Sequence, residues 1–466
     1  MKILRSDSVA STPTHLSLQP SSLHSDASTS NGAHGHTPIF RLATRSRACI
    51  LMILLIAAGL RVAVALWLPA EVIWPDGQRY VAIAQNLRVH HEFGTQYDNR
   101  LSVPTQPLLI AAVQLIFGTS FTALRLFFAA MGAVTCVVGY QLAKNLFDPS
   151  VALIAGVLLA IYPYYVYLFS LFEYPQPFFI FIMSVAFLML YRFVRSGRVA
   201  SLLVAGTCVG LGALSVPTAL VFLPALLLSL WLGRVPQMGR VAALLLVAAA
   251  LPVGAWAFRN YVAYGQLILV NQAAGTNFWA ANNATYFKFG KGAVIPPCGP
   301  GNEHQQYCEQ VQSLQARLSG ANLSEAQYIA ADEAAAWEAG WDFVSESPAR
   351  SVMLSARKVL EFWSPKPDAV TGGLANGGAA RDLIAILSYT PVLLLAIVGM
   401  MLLARQTRRL LPVYAYLLTF TAVYAVFLPT TRYRLPLDFF LIIFAAYTLK
   451  RVGQLFTRLV RGLVRG

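Results

Sequence analysis

Long runs of apolar residues, separated by short polar segments, are the main pattern of this chain. The runs are close to the ~20 residues that a helix needs to cross the hydrocarbon core of a bilayer. They lack the regular alternation of apolar and polar positions that is typical of a transmembrane β-barrel. Ten candidate spans follow from the pattern, at residues 48–69, 120–143, 151–170, 174–194, 199–215, 217–232, 240–258, 383–403, 410–428 and 435–449.

The composition agrees with a membrane protein. Hydrophobic residues make up 57% of the 466 residues and charged residues only 12%, whereas soluble domains carry about 25% charged residues. Because the bilayer core offers no water to the backbone, a helix is the economical way to satisfy its polar groups. We therefore predict an all-α polytopic membrane protein with about ten transmembrane helices.

The net charge of +15 arises largely from Lys and Arg in short segments between the apolar runs. Loops with such an excess take the cytoplasmic side of a membrane, so the charge indicates topology and anionic lipid rather than nucleic acid. This rule places both termini in the cytoplasm. It places residues 70–119, 171–173, 259–382 and 429–434 on the outer side of the membrane.

The polar segments divide the chain into five regions. The outer loop at 259–382 carries charges of both signs and is predicted to be a small water-facing domain. In the first outer loop, the apolar segment 106–118 is too short to cross comfortably and is predicted to be an interfacial helix. The regions are a disordered tail (1–46), seven spans with the first outer loop at 70–119 (47–258), the outer domain (259–382), three spans (383–449) and a basic tail (450–466).

The outer domain has two local signals. Ser324 and Gln327 have the spacing of a capping box, which predicts a helix from there to about Ser345. Cys298 and Cys308 lie in the same loop. If the loop is outside, a disulfide between them is expected, and a pair of free thiols is the alternative. The chain contains no CxxC and no His/Cys metal spacing.

Two acids are candidates for chemistry at the outer boundary. Asp76 follows the first span between Pro75 and Gly77, which predict a turn around it, and Glu173 lies between two adjacent spans. Charged groups at membrane level are costly and need a partner or a purpose. Two carboxylates at one cavity could divide the roles of proton acceptor and substrate or metal ligand. The alternative is that each caps a helix.

Basic residues lie on the same predicted side. Arg432, Tyr433 and Arg434 form a cluster before the last span, and Arg259 follows the seventh span. Arginines there could hold phosphate oxygens in a bidentate way, and snorkelling to lipid headgroups is the alternative. Asp438 is four residues after Arg434, a spacing that predicts an internal salt bridge.

Several short motifs occur in a consistent order between residues 47 and 449. They are Asp76-x-x-x-Tyr80, Pro104-Thr-Gln-Pro107, Ala123-Leu-Arg125, Tyr162-Pro163 followed by Glu173, Trp256-Ala-Phe-Arg259-Asn260, Ser347-Pro348-Ala-Arg350 and Arg432-Tyr-Arg-Leu-Pro436. Through them the chain resembles the bacterial membrane glycosyltransferases of the GT-C superfamily, family 39 type, which includes protein O-mannosyltransferases and aminoarabinose transferases.

The resemblance implies an inner-membrane enzyme that transfers a sugar, with inversion, from a polyprenyl-phosphate carrier to a lipid, glycan or protein acceptor outside the membrane. It implies that Asp76 is the general base and Glu173 the second acid. Arg259, Arg432, Tyr433 and Arg434 would bind the donor phosphate. Arg79 and Tyr80 would contact the donor or anchor the interfacial helix. The sequence specifies no cofactor, and a divalent metal stays open.

The sequence departs from the family pattern at Gly77, where the family commonly has a second acid. Any metal or substrate role of an acid at that position is therefore not implied. Two other functions are open: a transporter or flippase of lipid-linked sugars, and a non-catalytic scaffold. The chain lacks the internal symmetry that is frequent in transporters, and intact Asp76 argues against a scaffold.

Overall fold

The computed structural model describes residues 38–69, 71, 72, 74–94, 102–289, 313, 316, 325–367 and 378–465. The described part is helical, which confirms the all-α prediction. Its helices are α1 (Pro38–Trp67), α2 (Pro75–His90), α3 (Thr105–Phe117), α4 (Phe121–Leu146), α5 (Pro149–Ile161), α6 (Pro163–Leu168), α7 (Gln176–Ser196), α8 (Val199–Ala213), α9 (Thr218–Leu232), α10 (Met238–Tyr264), α11 (Ala274–Ala281), α12 (Ala284–Phe289), α13 (Glu325–Glu346), α14 (Pro348–Phe362), α15 (Gly378–Leu402), α16 (Thr407–Val426) and α17 (Thr431–Arg465).

Seven helical segments in the described part are long and apolar enough to cross a membrane. Each corresponds to a predicted span. They are Ser46–Trp67, Phe121–Leu146, Gln176–Ser196, Met238–Tyr264, Gly378–Leu402, Ala404–Val426 and Thr431–Arg461. The other three predicted spans form the shorter apolar helices α5, α8 and α9.

The predicted span 151–170 is divided into α5 and α6 at Pro163. Proline has no N–H and cannot donate to the carbonyl four residues earlier, which here belongs to Leu159. Arg61, fully buried on α1, donates to the carbonyls of Leu159 (3.1 Å) and Ala160 (3.0 Å) instead. Arg61, inside an apolar run, thus supplies hydrogen bonds to carbonyls at the end of α5, including the one that Pro163 cannot reach.

Close helix packing follows the small residues. On α8, Gly206 and Gly210 form a GxxxG pattern that faces α10. A Cβ atom at either position would overlap the α10 backbone, at Leu245 or Ala249. This is the close backbone approach that such patterns permit between membrane helices.

The predicted local features have different outcomes. The salt bridge between Arg434 and Asp438 is confirmed, with Nε and Oδ1 3.4 Å apart and both side chains fully buried. The predicted helix of the outer domain is confirmed as α13 (Glu325–Glu346), although Ser324 lies outside the described residues. Cys298 and Cys308 also lie outside them, so their disulfide stays a prediction.

The ends of the chain differ from the predicted boundaries. Helix α1 begins at Pro38, so residues 38–46 of the predicted tail are helical, and the preceding residues lie outside the described part. Helix α17 continues without a break to Arg465, so the basic tail is an extension of the last span.

Candidate active site

Asp76 lies in the first turn of α2, not in an isolated turn as the sequence pattern predicts. Pro75 occupies the first helical position, and Trp74 before it is extended. Proline suits this position because the first N–H groups of a helix have no intrahelical acceptor. The helix dipole favours an acid in this turn. The local sequence therefore favours an ionised Asp76 in the first turn of α2.

Both oxygens of Asp76 are bound by arginines. Arg432 Nη1 lies 2.6 Å from Oδ2, and Arg79 Nη2 lies 3.1 Å from Oδ1. The Asp76 side chain is 31% exposed, so it remains accessible. Burial raises the pKa of Asp76, but Arg432 and then Arg79 outweigh burial and hold this pKa below its ordinary value. The carboxylate is therefore ionised at neutral pH.

Arg432 comes to Asp76 from the start of α17, 356 positions along the chain. Its guanidinium lies over the rings of Tyr433 (5.1 Å) and Tyr174 (5.4 Å). Tyr433 in turn stacks on Tyr424 of α16, with ring centroids 4.8 Å apart. Aromatic faces attract a cation, so these rings hold the guanidinium in place beside Asp76.

Glu173 is fully buried and contacts the residues on either side of Asp76. The backbone N–H of Trp74 donates to Glu173 Oε2 at 2.6 Å. A Cβ atom at Gly77 would lie 2.7 Å from Glu173 Cγ and 2.8 Å from Val72. Gly77 is thus required by the close approach of Glu173, which explains in this structure why an acid cannot occupy that position.

The turn that carries Glu173 is fixed by two buried polar side chains. Gln106 of α3 donates to the carbonyl of Phe172, and the Ser215 hydroxyl donates to the carbonyl of Pro175 at 3.0 Å. Gln106 and Ser215 are both buried. The Pro104-Thr-Gln-Pro107 motif therefore helps to position Glu173 from a different helix.

Arg125 is a positioning residue to which sequence reasoning assigned no role. It is 1% exposed and donates to the carbonyls of Leu68 (3.1 Å), Pro69 (2.5 Å) and Glu71 (2.9 Å). These carbonyls lie beyond the end of α1 at Trp67, in the segment between α1 and α2, where buried backbone acceptors need a donor. Arg125 thereby holds the segment that leads into α2. Its sequence signals were an arginine inside an apolar span and a place in the Ala123-Leu-Arg125 motif.

The remaining predicted site residues lie in other contacts. Arg434 is neutralised by Asp438, lies 3.6 Å from the centre of the Tyr389 ring and donates to the Ser364 carbonyl. Arg259 donates to the Tyr264 hydroxyl (3.1 Å) and the Phe93 carbonyl (3.2 Å). Within the described part of the chain, the contacts of these two arginines do not include Asp76.

The last two predictions for the site concern Tyr80 and a metal ion. Tyr80 is buried, and burial raises its pKa; its ring lies 5.7 Å from the Arg79 guanidinium. Among the described residues, no group of three or more His, Cys, Asp and Glu side chains could hold a metal ion. Asp76 and Glu173 are the acids at the site, and both are already bound by protein donors.

Comparison with known proteins identifies the type of fold. Residues 102–256, less than half of the chain, match the family described as dolichyl-phosphate-mannose-protein mannosyltransferase. The archaeal oligosaccharyltransferase AglB from Archaeoglobus fulgidus, solved with an inhibitory peptide and a dolichol-phosphate, superposes with a TM-score of 0.53. It is 18% identical, and the match covers 91% of this chain and 52% of AglB. The chain has the GT-C fold.

The predicted resemblance to GT-C membrane glycosyltransferases is therefore confirmed at the level of the fold. The chain spans about half the length of the oligosaccharyltransferase that it matches. ArnT from Cupriavidus metallidurans, bound to undecaprenyl phosphate, gives a TM-score of 0.41 at 15% identity, covering 88% of this chain and 78% of ArnT. No curated protein sequence matches the chain significantly.

Proposed function

We propose that this protein is an integral membrane glycosyltransferase that moves a sugar from a polyprenyl-phosphate donor to an acceptor, with inversion, on the periplasmic side of the inner membrane. The family match supports a transferase that uses a lipid-linked sugar. The observation that carries the proposal is the pair formed by Asp76 and Arg432. It joins a partly exposed carboxylate to a fixed guanidinium, one suited to an acceptor hydroxyl and the other to a phosphate.

In the proposed reaction, the acceptor oxygen attacks the anomeric carbon while the bond from that carbon to the phosphate oxygen breaks. Asp76 takes the proton of the acceptor, and base catalysis of this kind is worth ~10²–10⁴-fold. Negative charge develops on the leaving polyprenyl phosphate. Arg432 stabilises that charge without reorganisation, because the Tyr174 and Tyr433 rings already hold its guanidinium.

The other site residues receive more limited roles in this proposal. Glu173 positions the start of α2 through Trp74 rather than exchanging protons, because it is fully buried. Arg79 is the second cation at Asp76, and Tyr80 anchors α2 in the core. Arg259 and Arg434 are assigned to the structure around the site, since their guanidiniums are bound elsewhere.

Mass spectrometry of cell-envelope glycans and polyprenyl-phosphate sugars, with and without this protein, tests the proposal and identifies the sugar. Cells without it should lose one envelope modification and accumulate the matching lipid-linked sugar. A flippase would give a different result, because the modification would be restored by supplying the donor on the outer side without the protein. Unchanged glycans and unchanged donors would contradict a transferase.

A further inference from the structure

Both oxygens of the Asp76 carboxylate are engaged by protein donors. Each oxygen accepts from a different guanidinium, Oδ2 from Arg432 at 2.6 Å and Oδ1 from Arg79 at 3.1 Å. Hydrogen bonds to the charged form of a carboxylate make it a weaker base. A general base works best when its proton affinity is matched to the working pH. In this geometry, the two guanidiniums therefore reduce the ability of Asp76 to accept a proton.

Arg432 is the firmer of the two partners. Its side chain is 18% exposed, whereas that of Arg79 is 37% exposed. Two tyrosine rings and the start of α17 fix its position. An anion that approaches Arg432 meets a guanidinium that already holds the Asp76 carboxylate. The anion therefore competes with Asp76 for Nη1 and for the positive charge of the guanidinium.

We infer that the donor phosphate displaces Asp76 from Arg432, so that donor binding itself frees the base for the acceptor. This inference rests on the proposed function. While they are paired, Arg432 and Asp76 neutralise each other, which lowers the cost of holding both charges in a half-buried place. In the loaded site the phosphate takes the guanidinium, and an Asp76 oxygen turns to the acceptor hydroxyl. The donor then binds before the acceptor.

The consequence that can be measured is that Asp76 is an internal competitor of the donor. Removing its charge should tighten donor binding, although the same change abolishes transfer. We expect Asp76→Asn to bind undecaprenyl phosphate about tenfold more tightly than the wild-type chain, as the loss of a charge-assisted bond predicts. Asp76→Glu keeps the competing charge and should stay near the wild-type affinity.

The experiment measures binding of undecaprenyl phosphate, and of undecaprenol without phosphate, to the full chain in nanodiscs. Undecaprenol should bind the wild-type chain and Asp76→Asn equally, because it does not need Arg432. Asp382→Asn is the matched control. Asp382 pairs with Arg381 at 3.0 Å with comparable exposure, and removing its charge should not change either affinity.

The outcomes separate this inference from the proposed function. Tighter binding in Asp76→Asn alone supports the exchange. Unchanged or weaker binding in Asp76→Asn, with normal binding by the wild-type chain, overturns the exchange and leaves the transferase intact. A structural defect at Asp76 would weaken binding in Asp76→Asn and Asp76→Glu alike, which also overturns the exchange. Failure of the wild-type chain to bind undecaprenyl phosphate would overturn both proposals.

Discussion

Asp76 and Gly77 show how much one residue can decide at this site. Asp76 supplies the charge, and Gly77 leaves the space in which the buried Glu173 reaches the backbone of Trp74. The carboxylate that the family pattern expects next to Asp76 would collide with Glu173. The site therefore has one accessible acid and one buried acid, and in the proposed function these different surroundings give them different roles.

Substitution of Gly77 tests this packing. We expect Gly77→Ala to lower transfer activity by roughly tenfold or more, because its Cβ forces Glu173 or Val72 to move and shifts the first turn of α2. Gly59→Ala on α1 is the control, since a Cβ there meets nothing within 4 Å. Activity is measured at equal expression. Equal activity of Gly77→Ala and Gly59→Ala would show that Glu173 does not constrain Asp76.

At the scale of elements, one buried lysine joins α14, in the region predicted to be an outer domain, to the predicted span that α16 forms. Lys358 donates to Asn282 Oδ1 and to the carbonyl of Val426, both at 2.9 Å. Val426 ends α16, where the helix dipole favours a cation. Burial lowers the pKa of Lys358 to about 7, although Glu361 acts in the opposite direction.

This lowered pKa predicts a pH dependence of stability. In the unfolded chain Lys358 has its ordinary pKa of 10.5, so between about pH 7 and 10.5 the unfolded state binds more protons. Stability must then rise with pH across that window, by up to about 1.4 kcal/mol per pH unit. Thermal unfolding of the wild-type chain from pH 7 to 9.5 should show a rising Tm.

The Lys358→Met variant should lose most of that pH dependence, because methionine does not titrate. Lys366→Met is the control, since Lys366 is exposed near the end of the same region. It should keep the wild-type slope of Tm against pH. Identical slopes in Lys358→Met and the wild-type chain would show that Lys358 is not the group responsible.

The end of α17 predicts a second property of an element. Beyond Thr448 the helix is mostly exposed, with arginines such as Arg458 and Arg461 on one face and Leu455, Phe456 and Leu459 on the other. Basic amphipathic helices bind anionic bilayer surfaces. Each arginine near such a surface contributes about 1 kcal/mol. We therefore expect this end to associate with anionic lipid.

Hydrogen–deuterium exchange in liposomes checks this expectation. Exchange in residues 453–465 should be slower in phosphatidylglycerol than in phosphatidylcholine. The double variant Arg458→Gln/Arg461→Gln should lose most of the difference, about 2 kcal/mol for two arginines. Arg405→Gln/Arg408→Gln, in another exposed basic segment, should keep it. No dependence on lipid charge in the wild-type chain would contradict the expectation.

At the scale of the whole molecule, the apolar pattern predicted most of the fold. A membrane helix makes its backbone hydrogen bonds within one segment, so a continuous apolar stretch of sequence is enough to predict its position. The division of the span 151–170 was missed, because it depends on Arg61 from another helix as well as on Pro163. The extension of α17 was missed because a basic tail and a basic helix have the same composition.

The site was predictable only in part, for the same physical reason. The bridge between Arg434 and Asp438 follows from one helical turn and was confirmed. The bridge between Arg432 and Asp76 joins positions 356 residues apart, and no local spacing specifies it. The sequence therefore suggested several arginines as phosphate ligands, and our proposal selects Arg432 among them because of its ion pair with Asp76.

The predicted topology can be tested on the whole chain. In a variant with Cys298 and Cys308 changed to Ser, a cysteine introduced at Glu92 or at Arg405 provides a probe, and both positions are exposed. A membrane-impermeant maleimide applied to intact spheroplasts should label Glu92→Cys and spare Arg405→Cys. The opposite pattern would place the site in the cytoplasm.

We propose that Asp76 is the base of a lipid-linked sugar transfer. The most direct test of this proposal is mass spectrometry of polyprenyl-phosphate sugars and envelope glycans in cells whose only copy of the protein is wild type, Asp76→Asn or Asp382→Asn. At equal expression and topology, Asp76→Asn should behave like a deletion, with the donor accumulated and the modification lost, whereas Asp382→Asn should behave like wild type. Full modification in the Asp76→Asn cells would contradict the account.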